Sequence, residues 1–340
     1  MRAVVYDKQN KRLKLIKTEM PTPKKGEVLV RVGSVGICGS DTEMVNVDTV
    51  ADGYTMGHEV AGIVEAIGEG ITSVSVGDRI TPRPVGCGEC PVCLMGNTHL
   101  CLKKISIGTG YLPGGFADFV SIPEAMLYAV PEGMTLRIAS LTDTFAVPAH
   151  AIATASFSEG ESVLIVGVGP IGLSGVLLAA DMNPSLLGAV DLSQTRLDTA
   201  MSLGAGVVFS PTDDGYYQNV RDAFGGIGPD VVIECTGNPH AMTDAVELVR
   251  PGGRVTLTGI CFEPMTLHPL SMIMREASIL PAFSSLPADN RLALSFMARK
   301  PESAGAIISD VVPLEDMPEI FEAARRGKVD GKVVVEPHPE

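Results

Sequence analysis

Four of the chain's seven cysteines fall in one short segment, as Cys87-x2-Cys90-x2-Cys93-x7-Cys101, with Gly86, Gly88, Pro91 and Gly96 to bend it. Four thiolates from one loop complete a tetrahedral zinc shell and leave no position open for a substrate, so a metal held here is structural. An iron–sulfur cluster also takes four thiolates, but nothing else in the chain points to electron transfer. A second pair of metal-binding side chains is dispersed: Cys38 in Gly36-Ile37-Cys38-Gly39-Ser40-Asp41, and His58 in Gly57-His58-Glu59. Either alone reads as an ordinary core residue. Together with the rest of the chain they read as ligands of another metal.

A third feature suits phosphate. Gly167-Val168-Gly169-Pro170-Ile171-Gly172 follows the apolar run Val163-Leu164-Ile165-Val166. In such a turn the first glycine permits the reversal, the second lets backbone approach a pyrophosphate, and the third packs a helix close on the strand. Free N–H groups at the start of that helix, which Pro170 and Ile171 open, then face the phosphates. Asp191 ends the next strand, 19 residues beyond Gly172. A carboxylate there accepts hydrogen bonds from both ribose hydroxyls and repels a 2′-phosphate, so NAD is expected in preference to NADP. Arg196 either lines the adenine side or stands as a solvated helix charge.

The elements that must position these residues change in texture along the chain. Ala3–Tyr6, Glu27–Val35, Glu59–Ile67 and Phe116–Ile122 are short runs rich in Val and Ile, bounded by turn residues, which predicts a β-rich, barrel-like domain. From about residue 145, strands and helices alternate. Ser162–Val166, Leu187–Asp191, Val207–Phe209, Asp230–Glu234 and Arg254–Thr258 read as strands; Ile171–Ala180, Arg196–Leu203 and Ala241–Val249 read as helices. That alternation predicts an α/β domain with a parallel sheet. After residue 286 come a helix at Asn290–Met297, a strand at Ala306–Val311, a helix at Leu314–Arg326 and a last strand at Lys332–Val335. There are no repeats or low-complexity tracts.

Bulk properties exclude several functions. A net charge of −14 and a pI near 4.9 disfavour nucleic acid and anionic membranes as partners. Ser162 to Ala180 is uncharged, but its glycines and proline suit a strand, turn and helix better than a membrane span. Met1–Asp7 lacks the apolar core of an export signal. A cytoplasmic location is therefore expected, and a disulfide framework is not.

Over nearly its whole length the chain resembles the zinc-containing medium-chain dehydrogenases, the alcohol, sorbitol and threonine dehydrogenase family. The resemblance rests on the segments 36–41 and 57–59, Val76-Gly77-Asp78-Arg79, the four-cysteine lobe, the glycine turn, and the close at Gly331–Val335. It implies a GroES-like β-barrel catalytic domain (1–146 and 287–340) and a Rossmann NAD-binding domain (147–286). It makes Cys38 and His58 ligands of a catalytic zinc and places a third ligand in Leu141–Ala151. There Thr142-Asp143 matches the Thr-Asp of some secondary alcohol dehydrogenases. Asp143 is thus the expected third ligand, with Glu59 as its competitor, and three ligands leave the open position that catalysis needs.

Asp41 resembles the carboxylate that orients the histidine ligand, and Ser40 the hydroxyl that passes the substrate's proton outward. Many relatives carry a histidine at the position of Glu43. Glu43 either relays the proton as a carboxylate or is an exposed surface acid.

The implied reaction is reversible hydride transfer between a secondary alcohol or polyol and NAD, in a homodimer or homotetramer with a strand near Ile279–Phe283 pairing across the two-fold. The alternatives are threonine 3-dehydrogenase-like activity, a zinc-free quinone or enone reductase, and a non-catalytic nucleotide-binding protein. Cys38 and His58 speak against the reductase, and Ser40 against the non-catalytic reading. The loop between Cys38 and His58 holds no basic residue, which disfavours acidic substrates. Cys235 and Cys261 are expected as pocket walls or core, and His150 as packing. Lys332 is expected near the pyrophosphate or on the surface.

Overall fold

Val28, Val30, Val32 and Val35 are wholly buried along one strand, and the first unit is built on it. The protein is described by a computed structural model over residues 1–338; Pro339 and Glu340, which end the predicted segment 287–340, lie outside the described residues. In chain order, β1 (Arg2–Asp7) and β2 (Arg12–Lys17) form an antiparallel pair. Then come β3 (Glu27–Gly36), β4 (Glu59–Ile67), β5 (Arg79–Pro82), β6 (Phe119–Pro123) and β7 (Leu127–Ala129). β3 pairs antiparallel with both β4 and β6, and β4 continues through β5 to β7. The β3–β4 register shifts between Leu29 and Val30 and again between Val32 and Ser34. Such irregularities add twist and bend a sheet round on itself.

The second unit follows as a parallel sheet: β8 (Ser162–Val166), β9 (Leu186–Val190), β10 (Val207–Phe209), β11 (Val231–Glu234), β12 (Arg254–Leu257) and β13 (Ser278–Pro281). Their order is β10-β9-β8-β11-β12-β13. Val163, Leu164, Ile165, Val231, Val232 and Ile233 are all fully buried, the continuous apolar pattern of strands covered on both faces. The chain direction across the sheet reverses at β8, so the crevice beyond the carboxyl ends of β8 and β11 is where such a sheet receives a ligand.

The tail adds β14 (Ile308–Pro313) and β15 (Lys332–Glu336) to the first unit, with Val334 opposite Gly36. By contacts the chain divides into Met1–Asp143 with Ala293–Glu340, and Thr144–Leu292. Both divisions fall inside continuous helices, Thr142–Thr154 and Pro287–Arg299. A boundary within a helix carries no turn residue to mark it; the sequence placed these breaks at 146/147 and 286/287.

Two helices that carry site residues are not evident from sequence. Gly39–Asn46 begins Gly-Ser-Asp, a composition that suggests a turn, yet Asp41 Oδ2 accepts the Cys38 N–H at 3.0 Å and starts a helix there. Thr142–Thr154 contains Pro148, which obscures its periodicity. β2 alternates charged and apolar residues as a half-exposed strand does, and it is not among the strands expected from sequence. Among the described residues no helix is long and apolar enough to cross a membrane.

Candidate metal centres and the dinucleotide turn

Antiparallel pairing sets Gly36 opposite Glu59, so Cys38, just past β3, and His58, just before β4, share one end of the sheet. Cys38 Sγ, a His58 ring nitrogen and a Glu59 carboxylate oxygen lie within 4.8 Å of one another. Asp143, in the first turn of the Thr142–Thr154 helix, places Oδ2 3.8 Å from His58 Nε2. On the other side of the ring, Asp41 Oδ1 sits 3.3 Å from Nδ1. Asp41 is fully buried and faces Nδ1 at ion-pair distance without a hydrogen bond, on the opposite side of the ring from Asp143. Ser40 Oγ donates to Cys38 Sγ at 3.2 Å. Gly57 has φ +95°, and a Cβ there would come within 2.8 Å of the Phe116 ring, so only glycine lets the chain turn His58 inward.

The donor set fits zinc. Metal–sulfur and metal–nitrogen bonds of ~2.3 and ~2.0 Å put tetrahedral ligand atoms roughly 3.3–3.8 Å apart, the scale seen here. Charge supports the same reading. Burial pushes the Asp143 carboxyl up, with His58 working against it. Burial also opposes a charged His58, but Asp41 and Cys38 outweigh it and raise the imidazole well above its ordinary value. Negative groups thus converge on one imidazole, and a divalent cation would relieve that.

Glu59 has a different partner. Lys332, expected near a pyrophosphate or on the surface, is only 1% exposed. Its Nζ donates to both Glu59 oxygens at 2.8 Å and to the Ile37 carbonyl at 3.1 Å. The reason is register: Val334 pairs with Gly36, which carries Lys332 to the end of β3 where Cys38 lies. Burial works against the ammonium charge, yet Glu59 outweighs it and raises Lys332. Gly36 makes the pairing possible, since a Cβ there would sit 2.1 Å from Glu59 Oε2.

The cysteine segment gathers as a second cluster. All four Sγ atoms lie within 4.8 Å of one another, with Cys87–Cys93 at 4.0 Å and Cys90–Cys101 at 3.8 Å. These separations are far too long for disulfides, ~2.05 Å, and close to the edge of a zinc tetrathiolate, about 3.8 Å. The N–H groups of Cys87 and Lys103 point at Cys101 Sγ at 3.4 and 3.3 Å. N–H groups of Glu89 and Cys90 lower the Cys87 thiol. A Cβ on Gly86 would meet Cys93 Sγ at 2.8 Å.

The glycine turn joins β8 to the Pro170–Ala180 helix. Gly167 has φ +85°, and a Cβ on Gly172 would lie 1.9 Å from the Gly167 carbonyl, so strand and helix meet backbone to backbone. Gly169 caps the helix with no side-chain hydrogen bond and Pro170 opens it, which leaves the Ile171 and Gly172 N–H groups to solvent or a ligand. Nothing comes closer than 4.0 Å to a Cβ built on Gly169, and the nearest atom is an Arg196 guanidinium nitrogen. Asp191 accepts from Val168 N and Ser193 N, both at 2.9 Å, and Arg196 lies 3.9 Å from it.

Other residues fall outside these clusters. Glu43 is half-buried on the Ser40 helix and accepts from Asn46 at 3.2 Å. His150 bonds Asp289 at 2.9 Å in the second unit. Cys235 donates its backbone N–H to Val166 from the end of β11, and Cys261 Sγ contacts the Glu263 carbonyl. Sequence reasoning missed the Lys332–Glu59 pair, Asp289 as the partner of His150, and the buried Glu234. No local signal marks the first two, because their partners are set by strand register and helix packing.

Residues 24–132 match the alcohol dehydrogenase GroES-like domain, and residues 170–299 match the zinc-binding dehydrogenase family. A sorbitol dehydrogenase of Halalkalibacterium halodurans is 31% identical over 317 residues, 91% of each chain. Among solved structures, a zinc-binding dehydrogenase of Sinorhizobium meliloti 1021 bound to NADP has a TM-score of 0.89 at 26% identity, covering 99% of both chains. An alcohol dehydrogenase of Escherichia coli CFT073 complexed with NADH has a TM-score of 0.89 at 27% identity, again covering 99% of both.

Removing Lys332 leaves Glu59 buried without its counter-charge. Lys332→Met is expected to lower unfolding free energy by about 3–5 kcal/mol, and adding Glu59→Gln to recover most of the loss. Urea midpoints decide it; a single variant that unfolds with the wild type shows the pair to be dispensable.

Proposed function

The chain belongs to the zinc-containing medium-chain dehydrogenases, and from that premise we propose that Cys38, His58 and Asp143 hold the zinc at which a secondary alcohol or polyol is oxidised to a ketone. The hydride goes to a nicotinamide cofactor. The observation that carries this reading is the Cys38 thiol and His58 imidazole gathered with Glu59 within 4.8 Å at one end of β3 and β4, with Asp143 Oδ2 3.8 Å from His58 Nε2 and the Ser40 hydroxyl 3.2 Å from Cys38 Sγ. Asp143 is preferred to Glu59 because both Glu59 oxygens already accept from Lys332. A metal on Glu59 would compete with that lysine for the carboxylate's charge. The four-cysteine lobe is the proposed site of a second, structural zinc.

Zinc bound at the first centre supplies Lewis-acid chemistry, lowering the pKa of a hydroxyl held there. The protein's own groups do the rest. Asp41 faces the His58 ring at ion-pair distance. Ser40 takes the hydroxyl proton and passes it outward. Glu43 lies on the same helix, bonded to Asn46 and not to Ser40, and its proposed part is to take that proton through solvent. With secondary alcohols, sorbitol and L-threonine as substrates, NADH absorbance should grow, and chelator should stop that growth. Ser40→Ala is expected to cut kcat by roughly 10²–10⁴-fold, whereas Glu43→Gln gives a smaller, pH-dependent loss. Equally severe losses in both variants would overturn that division of labour.

The preferred cofactor is proposed to be NAD. Asp191 is pinned by two backbone N–H groups, so its remaining lone pairs face a ribose and its charge opposes a 2′-phosphate. Asp191→Gly should shift the NADP-to-NAD ratio of kcat/KM by at least about tenfold; an unchanged ratio would place discrimination elsewhere.

The working form is proposed to be a homodimer or homotetramer in the cytoplasm. β13 lies at the edge of the parallel sheet. The preceding Pro269–Arg275 helix leaves Leu270, Ile273 and Met274 57%, 71% and 75% exposed. All seven cysteines are unpaired, which suits a reducing compartment. Light scattering should return two or four times 35.6 kDa; a monomer mass would remove the proposal.

A further inference from the structure

Glu234 ends β11 fully buried, and the proposed chemistry gives it no task. Its Oε1 accepts the Thr236 N–H at 2.6 Å, the Gly237 N–H at 3.1 Å and the Thr236 hydroxyl. Its Oε2 is buried without a hydrogen-bond partner. Burying a carboxylate away from water is costly. The three donors on Oε1 offset part of that cost, and burial still pushes the carboxyl up.

What the carboxylate holds is Thr236. The Thr236 hydroxyl donates to Glu234 and accepts the Asn238 N–H at 2.9 Å, and Asn238 in turn caps the Pro239–Leu248 helix through His240 N at 2.8 Å. With its hydroxyl fixed at both ends, Thr236 aims its methyl at the first glycine of the dinucleotide turn. A Cβ on Gly167 would lie 2.3 Å from Thr236 Cγ2 and 3.1 Å from Thr236 N.

The next turn is drawn in as well. A Cβ on Gly237 would meet the Ile260 carbonyl at 2.2 Å, and one on Gly259 would meet Gly237 N at 2.0 Å and Glu234 Oε2 at 2.8 Å. The Thr258 and Gly259 N–H groups bond the Glu234 carbonyl at 3.0 and 3.2 Å. The turns after β8, β11 and β12 are therefore stacked in backbone contact, with Glu234 and Thr236 wedged among them. They stand at the carboxyl ends of strands on either side of the reversal in strand order, where the two halves of a dinucleotide are received.

We propose that Glu234 is a positioning residue for the dinucleotide: through Thr236 it braces the Gly167 turn from behind and keeps its N–H groups aimed at the pyrophosphate. The proposal rests on the reading of that turn as the cofactor site. Its signature is a loss of cofactor affinity that leaves metal content untouched.

The test is NADH fluorescence titration of the full-length protein and of the variants E234A, E234Q, T236S and T236V, each with zinc analysis and a thermal midpoint. T236S keeps the hydroxyl but loses the methyl against Gly167; T236V keeps a methyl but loses the bridge to Glu234. Expected is a rise in NADH Kd of about tenfold, or 1.4 kcal/mol, for E234A and for both Thr236 variants. E234Q, which keeps the accepting oxygen, should recover affinity relative to E234A, and zinc content should not change. Wild-type affinity in E234A and T236S would overturn the proposal. So would Kd changes that simply follow the thermal midpoint across all four variants. A wild-type protein that bound no NADH would overturn the reading of the turn itself, and this inference with it.

Discussion

Lys332 and Glu59 form an ion pair with almost no exposure to water, and the first unit is arranged around what that pair requires. Two charges removed from solvent are tolerated only when the contact is close and the remaining polar valences are met. Here both carboxylate oxygens lie 2.8 Å from the ammonium, and a third bond runs to the Ile37 carbonyl. The space exists because Gly36 has no side chain. The pair ties together the end of β3, the start of β4 and the start of β15, strands from both ends of the chain. The same junction carries Cys38 and His58. Proposed metal ligands that are far apart in sequence are therefore backed by a buried contact, to which the chain contributes by its return to the first unit after residue 292.

The two metal clusters show different ways of gathering ligands. The cysteine lobe is local: its sulfurs come from one segment bent by Gly86, Gly88 and Gly96, and backbone N–H groups stabilise thiolate charge. No distant element is needed to form it. The other cluster takes a thiol from beyond one strand, an imidazole from before another, and a carboxylate from the first turn of a helix. Asp41 faces the imidazole and Lys332 occupies the competing Glu59. A closed shell suits a structural ion, whereas a three-residue set leaves room for a substrate.

The second unit works through backbone instead of charge. Gly167, Gly169 and Gly172 let strand and helix meet backbone to backbone, and no side chain caps the first N–H groups of the helix. Asp191 is held by the Val168 and Ser193 N–H groups, and Glu234 by side-chain and main-chain donors behind the turn. In both, a carboxylate orders the peptide groups of a turn at the end of a strand. Among the solved structures the chain resembles, one is bound to NADP and another to NADH.

Much of this was legible in the amino-acid order. Glycine spacing after an apolar run announced the dinucleotide turn, and the cysteine spacing announced the lobe, because both depend on residues within one turn or loop. The alternation of strands and helices carried the parallel sheet, since buried parallel strands need continuous apolar runs. Cys38 and His58 were candidate ligands only in company with the rest of the chain, and Asp143 only through the family resemblance. The structure decided what depends on register and on helices crossing: Lys332 buried against Glu59, the helices at Gly39–Asn46 and Thr142–Thr154, His150 against Asp289, and Glu234 behind Gly167. A local pattern records what a residue does to its own backbone. Which side chain it meets across a sheet is set by a pairing that no single segment contains.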